Sequence, residues 1–140
     1  MLFSNILVPY DGSELASKSL DMAIKFAKLD PIIKITVIHV VAIPPKTVQT
    51  SLYNQFKKAI LADANETVEP AIAKLAEIPN PSEVIVKEGS SYYVILQQAK
   101  ELNCDLIIMG SRGLSGIKEF LGSVSHSITQ QSSIPVLLMK

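Results

Sequence analysis

The chain has 140 residues, and its 13 Lys+Arg balance 13 Asp+Glu, so it lacks the positive excess that nucleic-acid or anionic-membrane binding needs. Hydrophobic residues make up 48% against 19% charged, which excludes a disordered chain. The one cysteine, Cys104, excludes a disulfide framework, and no basic leader or long apolar run is present, so one cytoplasmic domain over residues 1–140 is expected, with no nucleic acid and no membrane as partner.

In chain order, Leu2–Pro9 is a short apolar run closed by proline, and it predicts a first strand. Leu20, Ala23, Ile24 and Ala27 recur at helical spacing within Glu14–Leu29, with Ser13 as the N-cap. Ile32–Ile43 is a β-branched run that predicts a second strand, ended by Pro44-Pro45. Leu52–Ala76 has helical propensity, and Pro70 inside it predicts a kink or a split. Glu83–Lys87 follows the break Pro79-Asn80-Pro81 as a third strand. Tyr92–Leu102 is a helix with Ile95, Ala99 and Leu102 on one face. Asp105–Met109 is a fourth strand, Ser123–Gln131 a short helix and Ile134–Lys140 a last strand. Strands alternating with helices predict an α/β fold with a parallel sheet. Near-continuous apolar strands require helices on both faces. In such folds ligands bind beyond the carboxyl ends of the strands.

The residues after those ends are therefore the candidates. Asp11 stands after the first strand in Tyr10-Asp11-Gly12-Ser13, where it serves a turn or offers a carboxylate to a nucleoside or a metal. After the fourth strand, Gly110, Gly113, Gly116 and Gly122 bring four of the six glycines together, and glycine lets main-chain N–H groups approach an anion. Gly122-Ser123 opens the last helix, whose N-terminus attracts phosphate, and Ser123 and Ser125 add hydroxyls. Arg112, the only arginine, is either a solvated loop residue or one suited to bidentate phosphate contact. His39 reads as a hydrogen-bonded core or rim residue, His126 as a residue of the last helix's first turn that is not counted in the site, and Cys104 as structural. No histidine–cysteine cluster has zinc spacing.

These residues resemble the universal stress protein family along the whole chain: Ile6–Ser13, Val37–Val40, Glu88-Gly89, Ala99–Gly113, Gly122–Ser125 and Ile134–Leu138. The resemblance implies a Rossmann-like fold of the adenine nucleotide alpha hydrolase-like kind, a five-stranded parallel sheet of order 3-2-1-4-5. It implies ATP, or AMP or ADP, as ligand, with Mg as the accompanying ion. In the ATP-binding branch the pattern is Gly-x2-Gly-x9-Gly-Ser/Thr. Here Gly110, Gly113 and Gly122-Ser123 match, but eight residues, 114–121, separate Gly113 from Gly122, one short. By position, Asp11 would contact the ribose or a phosphate-bound metal. Pro9 and Val40 would wall the adenine, with the main chain of Val40 reading its edge. Met109 and Gly110 would lie under the ribose. Gly113, Gly122, Ser123, Val124 and Ser125 would hold phosphates, with Arg112 beside them. The family's habit of pairing through its last strand implies a homodimer through Ile134–Lys140, an edge in the inferred order.

The function expected is a nucleotide-dependent conformational or partner switch in stress response or signalling. No residue reads as a positioned general base or nucleophile, so at most slow hydrolysis is expected. The alternative, favoured by the short Gly113–Gly122 interval, is a dimeric stress protein that binds no nucleotide and acts through protein partners.

Overall fold

The computed structural model describes residues 2–43, 45–46, 49–113 and 122–140. Its elements are β1 (Asn5–Pro9), α1 (Glu14–Ala27), β2 (Lys34–Val41), α2 (Thr50–Leu75), β3 (Ser82–Glu88), α3 (Ser91–Glu101), β4 (Leu106–Gly110), α4 (Ser123–Gln131) and β5 (Val136–Met139). The strands form one sheet of order β3-β2-β1-β4-β5, every pair parallel. The expected Rossmann-like α/β architecture and strand order are both present.

Side chains alternate across the sheet, and the two resulting cores explain why its central strands are apolar throughout. Ile6 and Val8 of β1, Ile35 and Val37 of β2, and Leu106 and Ile108 of β4 pack with Ala16, Leu20 and Ala23 of α1 and Val68, Ala71 and Leu75 of α2. Leu7, Ile38, Ile107 and Met109 point the other way, onto Ile95 and Ala99 of α3 and Ile128 of α4.

Local chemistry sets the ends of the elements. The Ser13 hydroxyl accepts from the Ala16 N–H at 3.1 Å and starts α1. The first strand begins at Asn5 rather than Leu2, because the Asp105 carboxylate accepts from the Ser4 N–H at 2.8 Å and the Asn5 N–H at 3.0 Å. That clamp also explains why β4 starts at Leu106. Phe3 packs instead edge-on against Phe26 of α1, with ring centroids 6.3 Å apart. The second strand stops at Val41, short of Ile43. The last strand is Val136–Met139 rather than Ile134–Lys140; Pro135 just before it has no N–H to give and meets the sheet only through its carbonyl, which accepts from Ile107 at 3.0 Å.

Pro70 does not split α2, which runs as one helix from Thr50 to Leu75. The ring is exposed, and the buried positions Ala64, Val68, Ala71 and Leu75 lie on one face on both sides of it. Continuous packing on the sheet outweighs one missing hydrogen bond on the wet side. The part of α2 before Ala64 buries no side chain. Thr67, one turn further on, lies against the β1–α1 turn, where a Cβ on Gly12 would stand 3.0 Å from the Thr67 Cγ2. At 1.5 Å per residue, the stretch from Thr50 to Thr67 reaches about 25 Å beyond that turn.

Cys104 is buried at the foot of β4. Burial, with the neighbouring Asp105 charge adding to it, pushes its thiol up to about 11, so it is a packed apolar group rather than a nucleophile. The structural role expected for it fits this position.

Asn80 ties the far end of the molecule together. Its buried Nδ2 donates to the carbonyls of Ala27 at 3.0 Å, Asp30 at 2.9 Å and Ile33 at 2.9 Å. Asn80→Ala leaves the Ile33 carbonyl without a donor, and the Ala27 and Asp30 carbonyls with only their longer main-chain bonds at 3.3 and 3.2 Å, and should cost about 1–3 kcal/mol, read as a lower urea midpoint. An unchanged midpoint would contradict the clamp.

Candidate functional site

Strand order reverses at β1, whose neighbours are β2 on one side and β4 on the other. The chain leaves the carboxyl ends of β1 and β4 in different directions, and a cavity of 490 Å³ opens there.

The first wall is the end of β1. Tyr10 makes one further ladder bond, from its N–H to the Ile38 carbonyl at 2.8 Å. The chain then turns at Asp11, whose Oδ1 accepts from the Ser13 N–H at 2.9 Å. Gly12 takes φ +83, a conformation other L-residues rarely adopt. The Tyr10 carbonyl is held by His39, with Nδ1 at 2.8 Å. A carbonyl only accepts, so Nδ1 carries the proton. Burial pushes the Tyr10 phenol above its ordinary range, partly opposed by the Lys74 ammonium.

The second wall is the end of β4. A Cβ on Gly110 would lie 2.7 Å from the Leu15 Cβ, so α1 packs where only glycine fits. A Cβ on Gly113 would lie 2.7 Å from Asp11 Oδ2, which brings the β4 loop onto the Asp11 turn. The Ser111 carbonyl then staples the start of α4: it accepts from the Gly122 N–H at 2.7 Å and from the Ser125 hydroxyl at 2.7 Å. Two groups expected to meet phosphate are thus engaged within the fold. The donors left over are the main-chain N–H groups of Ser123, Val124 and Ser125, which have no backbone partner among the described residues, and the exposed Ser123 hydroxyl. The first turn of α4 carries no acidic residue of its own to offset the positive end of its dipole.

All eleven residues singled out from the sequence line this cavity: Pro9, Asp11 and Val40 on the β1–β2 side, Met109, Gly110, Arg112 and Gly113 at the end of β4, and Gly122, Ser123, Val124 and Ser125 at α4. The interval 114–121 lies outside the described residues. His126 is exposed and is not part of the lining. Sequence reasoning missed His39 as a cavity residue, along with Ser91 and Ile95 of α3. His39 directly precedes Val40 at the end of β2, and that adjacency was the available signal. Among the described residues no group of three His, Cys, Asp or Glu side chains is placed to hold a metal, and no helix is long and apolar enough to cross a membrane.

A parallel sheet wound both ways from β1, with its cavity at the reversal, places the protein in the Rossmann-like α/β class. Within that class, the chain belongs to the universal stress protein family: residues 2–140 match the family model described as the Universal stress protein family. It is 35% identical to the universal stress protein YxiE of Bacillus subtilis, covering 99% of this chain and 100% of the relative. It superposes with a TM-score of 0.88 on the solved structure of MJ0577, a universal stress protein of Methanocaldococcus jannaschii, at 28% identity, covering 100% of this chain and 97% of the other. A universal stress protein solved in complex with cAMP matches with a TM-score of 0.64 at 25% identity, covering 100% of this chain and 98% of the other.

Gly110→Ala drives a methyl group into Leu15 and should destabilise the unliganded protein by about 1–3 kcal/mol, measured by denaturant titration. Wild-type stability in that variant would show that α1 and β4 are not in close contact.

Proposed function

We propose that this protein binds an adenine nucleotide in the cavity at the β1–β4 reversal and works as a nucleotide-dependent conformational or partner switch in stress response. The observation that carries this reading is the division of the lining. Pro9, Ile38, Val40, Ile95 and Met109 make an apolar slot of the kind a purine fills, while the unpaired N–H groups of α4, the Ser123 hydroxyl and Arg112 stand ready for phosphate. The cAMP complex of a related universal stress protein supports the same ligand class.

Asp11 supplies the polar contact between the two regions. Its Oδ1 is spent on the turn, and Oδ2 is left for a ribose hydroxyl or for Mg carried in on the phosphates. One protein carboxylate with phosphate oxygens suits that ion.

Calorimetry with ATP·Mg, AMP and cAMP tests the reading. Wild type should bind at least one of them with a dissociation constant at or below the high micromolar range, about 5–6 kcal/mol. Asp11→Asn should weaken binding about tenfold, or 1.4 kcal/mol, while the melting temperature of the unliganded protein stays within a few degrees. Absence of binding by wild type to all three sinks the proposal.

A homodimer through residues 134–140 accompanies it. β5 has β4 on one side only, and its Leu137 is exposed, so an apolar strand edge is open to pairing. In sedimentation, wild type at tens of micromolar should be dimeric (about 6–7 kcal/mol) and Val136→Glu monomeric. A monomeric wild type refutes the pairing.

A further inference from the structure

In β2, the main chain of odd-numbered residues faces β3 and that of even-numbered residues faces β1. Ile35 N–H donates to Pro81 and Val41 C=O accepts from Gly89, both on the β3 side. Lys34 N–H donates to Ser4 and Ile38 C=O accepts from Tyr10, both on the β1 side. By this alternation the Val40 N–H faces β1, and the next rung of the ladder would join it to the Tyr10 carbonyl. That rung is absent among the described residues. The carbonyl has room for two donors, and it is the His39 imidazole of the same strand, Nδ1 at 2.8 Å, that it faces in place of the Val40 N–H.

We propose that His39 is a positioning residue which caps the β1–β2 ladder one rung early, so that the Val40 N–H stays unpaired at the cavity wall and the Tyr10–Asp11 turn stays anchored. The imidazole stands in for a main-chain donor. It fixes the carbonyl of the residue just before Asp11 without closing β1 onto β2. The released N–H lies in the apolar slot, where it offers a donor to the acceptor nitrogens on the edge of a purine. This use of the donor rests on the adenine-nucleotide reading; the capping of the ladder does not.

The experiment has two arms. In the unliganded protein, amide hydrogen exchange by NMR should show the Val40 amide exchanging faster than that of Ile38. In His39→Ala the ladder closes by one rung and Val40 exchange should slow by about tenfold or more. In His39→Asn, whose side-chain amide puts a donor close to the place of Nδ1, Val40 should exchange as in wild type. In the binding arm, with AMP as probe, His39→Ala should bind about tenfold more weakly and His39→Asn within about threefold of wild type. Circular dichroism and melting check that both variants fold. A Val40 amide as protected as Ile38 in wild type, or unchanged by His39→Ala, overturns the proposal. So does undiminished AMP affinity in an His39→Ala variant whose Val40 amide has become protected. If wild type takes up no AMP while Val40 exchange slows in His39→Ala, the ladder cap stands and the adenine reading falls.

Discussion

Everything at the cavity follows from β1 lying between β2 and β4, two later strands that the chain reaches from opposite faces of the sheet. β2 is reached through α1 on one face of the sheet, and β4 through α3 on the other. Two strands that end side by side but send the chain to opposite faces cannot seal the space beyond their ends. The two cores keep that geometry rigid. Ile6, Leu7 and Val8 of β1 and Leu106, Ile107 and Ile108 of β4 are each almost wholly withdrawn from solvent. Neither strand can slide by one residue without exchanging the two faces of the sheet.

Within this frame the site is assembled by loops fitted to one another. Gly110 admits Leu15, Gly113 admits the Asp11 carboxylate, and the Ser111 carbonyl gathers the Gly122 N–H and the Ser125 hydroxyl. Each contact joins a loop following β4 to a loop or helix following β1, or to the start of α4. The phosphate-facing surface of α4 is what these contacts leave over. Its donors are aimed by a carbonyl that no ligand needs to touch, which is how a site gains preorganisation from the residues behind it.

Much of this was legible before the fold was known, and the physical reason differs from part to part. β1, β2 and β4 are buried on both faces, so their sequences are near-continuous apolar runs, with Thr36 and His39 as the exceptions inside β2, and announce themselves. The glycines after β4 could be recognised as a cluster. Their reasons could not: sequence points to phosphate approach, whereas Gly110 and Gly113 have protein atoms where a side chain would go. Pro70 misleads because local propensity carries no information about Ala64, Val68, Ala71 and Leu75 gripping the sheet on both sides of it. His39 reads from sequence as a hydrogen-bonded core or rim residue, and it is one, but the carbonyl it holds leaves no trace in any hydrophobic period. The ends of strands moved for similar reasons. Asp105 looked like the first residue of β4 and instead spends its carboxylate on Ser4 and Asn5.

The long forward reach of α2 has a practical side. Its first turns carry none of the core, yet they spring from a point at Thr67 that touches the turn holding Asp11. Such an arm suits the attachment of a spectroscopic label. A fluorophore on an exposed residue such as Gln55 would leave both cores intact, and a shift in the Asp11 turn would reach it through one rigid rod.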